Sequence, residues 1–202
     1  MFKPRVLEKV FSPVSAQFEV RQLGREIYVT TSGLTQSGGL INQLWRNTLK
    51  QVSKHYQLTA KRWLILGLAT GTVAKLISHT YSPTAIVGVE LDAEMIRVGK
   101  QYFGLDKIPH LKIVQADADS YIKKAKSKFD WVLVDLYIGD QLPEFVYTSA
   151  FIQAVKQTGG RAIFNHLFYS GQNKTRAQQL AHQLAAVYPQ TRLIRELTNL
   201  LI

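Results

Sequence analysis

The chain contains no cysteine, which excludes a disulfide framework, thiolate metal sites and cysteine nucleophiles, and with them several enzyme classes. Long apolar runs are missing as well. The longest mostly apolar stretch, 63–68, falls far short of the ~18 residues a membrane helix needs. The N-terminus lacks the apolar segment of a signal peptide, so the expectation is a cytoplasmic protein with no membrane attachment. Histidine is sparse: His55, His79, His110, His166 and His182 form no close pair at ligand spacing, and no metal is expected. Acids are in short supply too, with 14 Asp and Glu against 25 Lys and Arg, a formal net charge of +11. Such a charge attracts polyanions such as RNA, or an acidic partner. The basic residues are nevertheless spread along the chain, and the densest run (Lys123, Lys124, Lys126, Lys128) reads first as the solvated end of a helix. Nucleic acid is thus a weakly supported partner, and a homodimer is left open.

What is present, 202 residues of which 46% are apolar, suits a globular fold with an ordinary core. The pattern changes character near residue 60, dividing the chain into a small N-terminal part, 1–58, and a larger part, 59–202. In the first part, 17–20 and 26–30 read as a β-hairpin turning at Leu23-Gly24-Arg25, with Phe18, Val20, Ile27 and Val29 as its apolar faces. After a turn at Thr31-Ser32-Gly33, the recurrence of Leu40, Leu44, Thr48, Leu49 and Val52 predicts an amphipathic helix over 39–56.

Strands over 63–67, 85–90, 112–115, 130–135 and 161–168 then alternate with helices over 73–80, 93–103, 119–126 and 148–157. This order predicts an α/β fold with a doubly wound, mostly parallel sheet. The unbroken apolar runs Trp63-Leu64-Ile65-Leu66 and Trp131-Val132-Leu133-Val134 suit strands buried on both faces. A helix over 175–187, a strand-like segment 191–197 and the start of a further strand at 199–202 complete the chain.

Ligands of such sheets bind at the carboxyl ends of the strands. The first strand there runs into Gly67-Leu68-Ala69-Thr70-Gly71-Thr72, whose small residues let the backbone turn sharply and approach a ligand. The second ends at Glu90, a carboxylate able to accept two hydrogen bonds from a ribose diol. The third leads into Ala116-Asp117-Ala118 and the fourth ends at Asp135. Asp92 and Asp117 also fit helix N-caps, whereas Glu90 is a poorer cap and Asp135 closes a fully apolar run. Asp140 and Glu144 read as solvated loop acids. His166, at the end of the fifth strand, reads as a hydrogen-bonded structural histidine, with a role as a base as the alternative.

The arrangement resembles the class I S-adenosylmethionine-dependent methyltransferase (Rossmann-like) fold, and within it the spermidine synthase, or polyamine aminopropyltransferase, family. The resemblance spans roughly 18–160. It is carried by the glycine loop, by Leu34-Thr35-Gln36-Ser37, Gly88-Val89-Glu90-Leu91-Asp92 and Ala116-Asp117-Ala118, by the segment from Phe129 to Asp135, and by Phe151-Ile152-Gln153-Ala154-Val155-Lys156 before Gly159-Gly160.

It implies a donor, S-adenosylmethionine or its decarboxylated form. Gly67, Ala69 and Gly71 would approach its methionine and ribose portions, Glu90 would hold the ribose hydroxyls, and Asp117, with Ala118 beside it, would accept from the adenine amino group. Asp135 would be catalytic, next to the sulfonium and the transferred group. Gln36 would line the junction of nucleoside and acceptor, with Trp45 and Tyr137 as further acceptor contacts. The departures lie on the acceptor side. The family's second acid, three residues after the first, is Ile138 here, and its acidic pair and tyrosine after the Gln are replaced by Ile41, Asn42 and Trp45. Burying a diamine without carboxylate partners is costly, which speaks against ordinary spermidine synthesis. The expected function is methyl or aminopropyl transfer to an unidentified acceptor. A catalytically silent nucleoside-binding or interaction module of the same fold is the alternative, and a nicotinamide-dependent oxidoreductase is disfavoured because Ala69 replaces the second glycine of its fingerprint.

Overall fold

The computed structural model describes residues 3–31, 33–56, 60–81 and 84–202. Two sheets organise the chain. The first is antiparallel, in the order β1 (Arg5–Ser12), β2 (Ala16–Leu23), β3 (Glu26–Thr31) and β4 (Leu34–Gly38). Here the expected two-strand hairpin is only the middle of a four-stranded sheet. β1 escapes the sequence because its apolar residues, Val6, Leu7, Val10 and Phe11, come in adjacent pairs instead of alternating, and Val10 alone of them is buried. β4 escapes because it is short, ends in Gly and has Leu34 as its only apolar residue, and pairing with β3 supplies the stabilisation instead. Ser32 of the expected turn, and the expected boundary at residue 58, lie outside the described residues.

Helix α1 (Gly39–Ser53) buries Leu44, Trp45, Thr48, Leu49 and Val52 and leads into the second sheet. There β5 (Arg62–Leu66), β6 (Ala85–Glu90), β7 (Leu111–Gln115), β8 (Phe129–Val134) and β9 (Gly159–Leu167) run parallel, as the sequence predicts. β5 and β8 are buried on both faces: Trp63, Ile65, Trp131 and Leu133 pack on the α1 side, while Leu64, Leu66, Val132 and Val134 pack on the other. Each such side chain contributes about 1.5–3 kcal/mol on leaving water, which is why two short runs anchor the centre of the sheet.

The crossovers are α2 (Thr72–Thr80), α3 (Ala93–Val98), α4 (Ala118–Lys124) and α5 (Ser149–Thr158), with α6 (Gly171–Val187) before the last strands. The helix expected over 93–103 is α-helical only to Val98 and continues as one wider π-type segment to Phe103. The strand-like segment 191–197 is shorter than expected, β10 (Ile194–Glu196), and the further strand expected at 199–202 is β11 (Asn199–Leu201), the two joined by a turn in which Leu197 has φ +53°. β11 lies antiparallel between β9 and β10, giving the order β10-β11-β9-β8-β5-β6-β7. α1 reaches across to this edge, where Glu196 accepts from Asn47 at 2.9 Å and from Gln51 at 3.4 Å.

Polar contacts join the two sheets. The Ser12 hydroxyl donates to Asp92 Oδ2 at 2.6 Å, while Asp92 Oδ1 caps α3 by accepting from the N–H groups of Glu94 and Met95. Ser37 Oγ lies 2.6 Å from Thr70 Oγ1 and 2.7 Å from Thr72 Oγ1, so β4 is fastened to the loop that follows β5.

Candidate functional site

That loop, residues 67–71, is shaped by backbone conformations that few residues adopt. Gly67 (φ +88°) and Gly71 (φ +89°) sit in the left-handed region, and so does Ala69 (φ +48°), at a cost of about 1–2 kcal/mol. At Gly67 a Cβ would collide with the carbonyl oxygen of Asp135. Glycine at this position therefore allows the loop after β5 to lie against the end of β8. Ala69 is held in place by Glu90, whose Oε2 accepts from the Ala69 N–H at 2.7 Å while Oε1 accepts from the Asp92 N–H at 2.9 Å. Burial drives the Glu90 carboxyl above the ordinary carboxylate range, and these backbone donors only partly offset it.

Asp135 is set at the end of β8 between two neutral donors. Trp45 Nε1, reaching from α1, is 2.9 Å from Oδ2, and Asn165 Nδ2, on β9, is 2.8 Å from Oδ1. Asn165 Oδ1 accepts in turn from Asn199 Nδ2 of β11 at 2.8 Å. Desolvation again prevails over these hydrogen bonds and raises the Asp135 pKa. Asp117 caps α4, accepting from the Ser120 N–H at 2.7 Å, and Ala118 is the buried first residue of that helix.

These residues surround one cavity of about 500 Å³ at the carboxyl edge of the parallel strands. Gly67, Ala69, Glu90, Asp117, Ala118 and Asp135 line it, together with Gln36 and Tyr137. Gln36 Nε2 donates to the Gly139 carbonyl at 3.0 Å, and the Tyr137 hydroxyl donates to the Asn165 carbonyl at 2.9 Å, so both are fixed in the wall. Among the described residues the cavity's charged side chains are Glu90, Asp117 and Asp135; no Lys, Arg or His lines it.

Gly71 lies against Leu105 and Ile108 and does not line the cavity, and Trp45 is the second exception among the expected site residues. It is fully buried and is not part of the cavity wall; it reaches the site through Asp135. Asn165 and Asn199 were not singled out from sequence, although an Asn in the buried run Ala162-Ile163-Phe164-Asn165 is the signal that could have pointed to the first. His166 is a structural histidine in this geometry. It is buried, Nδ1 donates to the Leu167 carbonyl, and the Tyr147 hydroxyl meets Nε2 at 2.6 Å. Burial lowers its pKa. Of the expected loop acids, Asp140 accepts from Tyr169 at 3.1 Å and Glu144 pairs with Arg176 at 2.8 Å, and neither lines the cavity. No group of three or more His, Asp or Glu able to hold a metal ion occurs among the described residues, and no helix there is long and apolar enough to cross a membrane.

A family model described as the spermine/spermidine synthase domain matches residues 43–199. A polyamine aminopropyltransferase of Vibrio vulnificus is 30% identical over 100 residues, covering 48% of this chain and 33% of that protein. A probable polyamine aminopropyl transferase of Bifidobacterium longum is 26% identical over 128 residues, 62% of this chain and 28% of that protein. The chain thus aligns with about a third of the length of these relatives. Among solved structures, a spermidine synthase in complex with the transition state analogue AdoDATO superposes with a TM-score of 0.77 at 18% identity, over 98% of this chain and 72% of that one. Human methyltransferase-like protein 13 in complex with SAH gives 0.57 at 24% identity over 69% of each chain. At these identities the likeness establishes the fold, a mostly parallel Rossmann-like sheet of the class I methyltransferase type.

Proposed function

The chain belongs to the spermine/spermidine synthase family, and from that premise we propose that it is a transferase acting on a sulfonium nucleoside, with decarboxylated S-adenosylmethionine as the preferred donor. One observation carries the choice of donor: three carboxylates and no cationic side chain line the cavity among the described residues. S-adenosylmethionine brings an anionic carboxylate that would need a cation here. The decarboxylated form replaces it with hydrogen and presents only positive charge, in its sulfonium and its amine. Uncompensated carboxylates raised in pKa by burial are the counterpart of a cationic ligand.

In this reading Glu90 accepts from the ribose hydroxyls, Asp117 from the adenine amino group, and the loop lies along the donor through Gly67 and Ala69, with Gly71 setting its turn from behind. Ala118 packs beside the adenine. Asp135 stabilises the sulfonium and takes the proton that the acceptor nitrogen loses. The nitrogen lone pair forms the new C–N bond, the C–S bond breaks, and its electrons stay on sulfur, leaving a neutral thioether. Alignment of nitrogen, carbon and sulfur supplies most of the acceleration, with proton removal supplying the rest.

Gln36 and Tyr137 face the junction with the acceptor, while Trp45 sets the position of Asp135. The acceptor end offers Leu40, Ile41, Ile138, Phe145 and Leu197. The nearest loop acids are engaged elsewhere, Asp140 with Tyr169 and Glu144 with Arg176. This favours an acceptor with one reactive amine and an apolar body over a plain diamine, whose second charge would find no partner.

The test is calorimetric titration of both donors into the wild type and Glu90→Ala at fixed moderate salt. The expected result is at least tenfold tighter binding of the decarboxylated donor, with both weakened in the variant. Tighter binding of S-adenosylmethionine would replace the proposal with methyl transfer, and binding of neither would replace it with a silent module.

A further inference from the structure

A second cavity, of about 550 Å³, opens at the opposite edge of the sheet, between the end of α1, the start of β9, the β10–β11 pair and the segment after α6. Its charge is the reverse of the first. Lys54, His55, Lys156, Arg161 and Arg192 line it, and no Asp or Glu side chain does. None of these five forms an ion pair among the described residues. Two of them rest on aromatic rings instead. The Arg161 guanidinium lies 5.5 Å from the centre of Tyr56 and 5.7 Å from that of Trp131, and Lys156 Nζ lies 4.4 Å from the centre of Tyr188.

Two polar atoms of wall residues have no partner among the described residues. Trp131 is 3% exposed, and its indole N–H is buried without an acceptor; the Tyr188 hydroxyl is likewise buried and unpartnered. An orphaned buried donor costs about 1–3 kcal/mol, a cost that a ligand supplying an acceptor removes. Unneutralised cations, flat aromatic walls and two orphaned donors in a cavity of small-molecule size call for an anion with a flat, hydrogen-bonding ring.

We propose that this cavity is a binding site for a nucleoside phosphate, separate from the acid-lined cavity and independent of the transferase reading. The phosphate is held by Arg161 and Lys156, with Lys54 and Arg192 at the rim. The base lies against the aromatic walls, and the Tyr188 hydroxyl turns out of its buried position to meet an acceptor on it.

UMP is the probe, because the three carboxylates of the other cavity repel an anion. It is titrated into the full chain by calorimetry and tryptophan fluorescence at two salt concentrations, alongside uridine and inorganic phosphate. One saturable site is expected, weaker at the higher salt. Uridine and phosphate alone should bind at least tenfold more weakly. The double variant Arg161→Gln, Lys156→Gln should lose at least tenfold in affinity, and Glu90→Ala none. Tyr188→Phe, which removes an unpartnered hydroxyl and keeps the ring, should lose UMP affinity several-fold without lowering Tm, so that a fault in folding is told apart from a fault in binding. Absence of saturable UMP binding overturns the proposal. So does equal affinity in the double variant, or phosphate alone binding as tightly as UMP. Single-stranded RNA binding to this face while UMP does not would replace the proposal with a nucleic-acid surface.

Discussion

At Asp135 the proposed chemistry depends on two neutral hydrogen bonds, from Trp45 and Asn165, holding a carboxylate that burial pushes toward protonation. A sulfonium is attracted to the ionised form. Donor affinity should therefore be full above the raised pKa and lost as pH falls through it. Trp45→Phe removes one of the donors that lower this pKa, so the value climbs further and the acid limb of binding moves to higher pH. The expected loss is about tenfold in Kd on the acidic side and less at pH 8, measured by calorimetry across pH; a limb that stays in place would assign the titration to another group. Glu90 and Asp135 stand out in the sequence because each is a carboxylate at the end of an apolar strand, although the structure also gives Glu90 the task of holding the N–H groups of Ala69 and Asp92. The Asn199–Asn165–Asp135–Trp45 chain does not stand out. Its members lie far apart in sequence, and only the order of β8, β9 and β11, with α1 laid beside them, brings them together. Asp117 fits both a cap and a ligand by sequence, and among the described residues its one side-chain hydrogen bond is the cap.

Among the elements, the parallel strands were readable because burial on both faces demands unbroken apolar runs, which β5 and β8 have. β1 and β4 were hidden because their pairing does the work that composition usually does. The consequence for the site lies in β4. Ser37 is 1% exposed and bonded to both Thr70 and Thr72, so the N-terminal sheet fixes one side of the glycine loop while Glu90 fixes the other. Ser37→Ala should cost about 1–3 kcal/mol of stability and weaken donor binding several-fold, with Tm and Kd measured on the same preparation. A lower Tm with unchanged Kd would mean that the sheet and the loop are joined mechanically but not functionally.

Over the whole molecule, charge is sorted as well as unbalanced. A chain of net charge +11 gathers three of its 14 acids around one cavity and five uncompensated basic residues around another, at opposite edges of one sheet. The general field repels a cationic donor, and the local acids must overcome it, so salt should weaken donor binding less than it weakens anion binding at the other edge. The connection between α1 and Glu196 spans 149 residues in the case of Asn47, and a contact of such reach must wait until the rest of the sheet is in place. Glu196→Ala should therefore leave the folding rate almost unchanged and speed unfolding by about fivefold, as expected for ~1 kcal/mol lost after the transition state; a slowed folding arm in stopped-flow would place the contact in the nucleus instead. Since β11 also carries Asn199, the first link of the chain to Asp135, the α1–Glu196 clasp acts as a clock. On that expectation the outer strands arrive late and leave early, and the carboxylate at the end of β8 is correctly held only for as long as they stay.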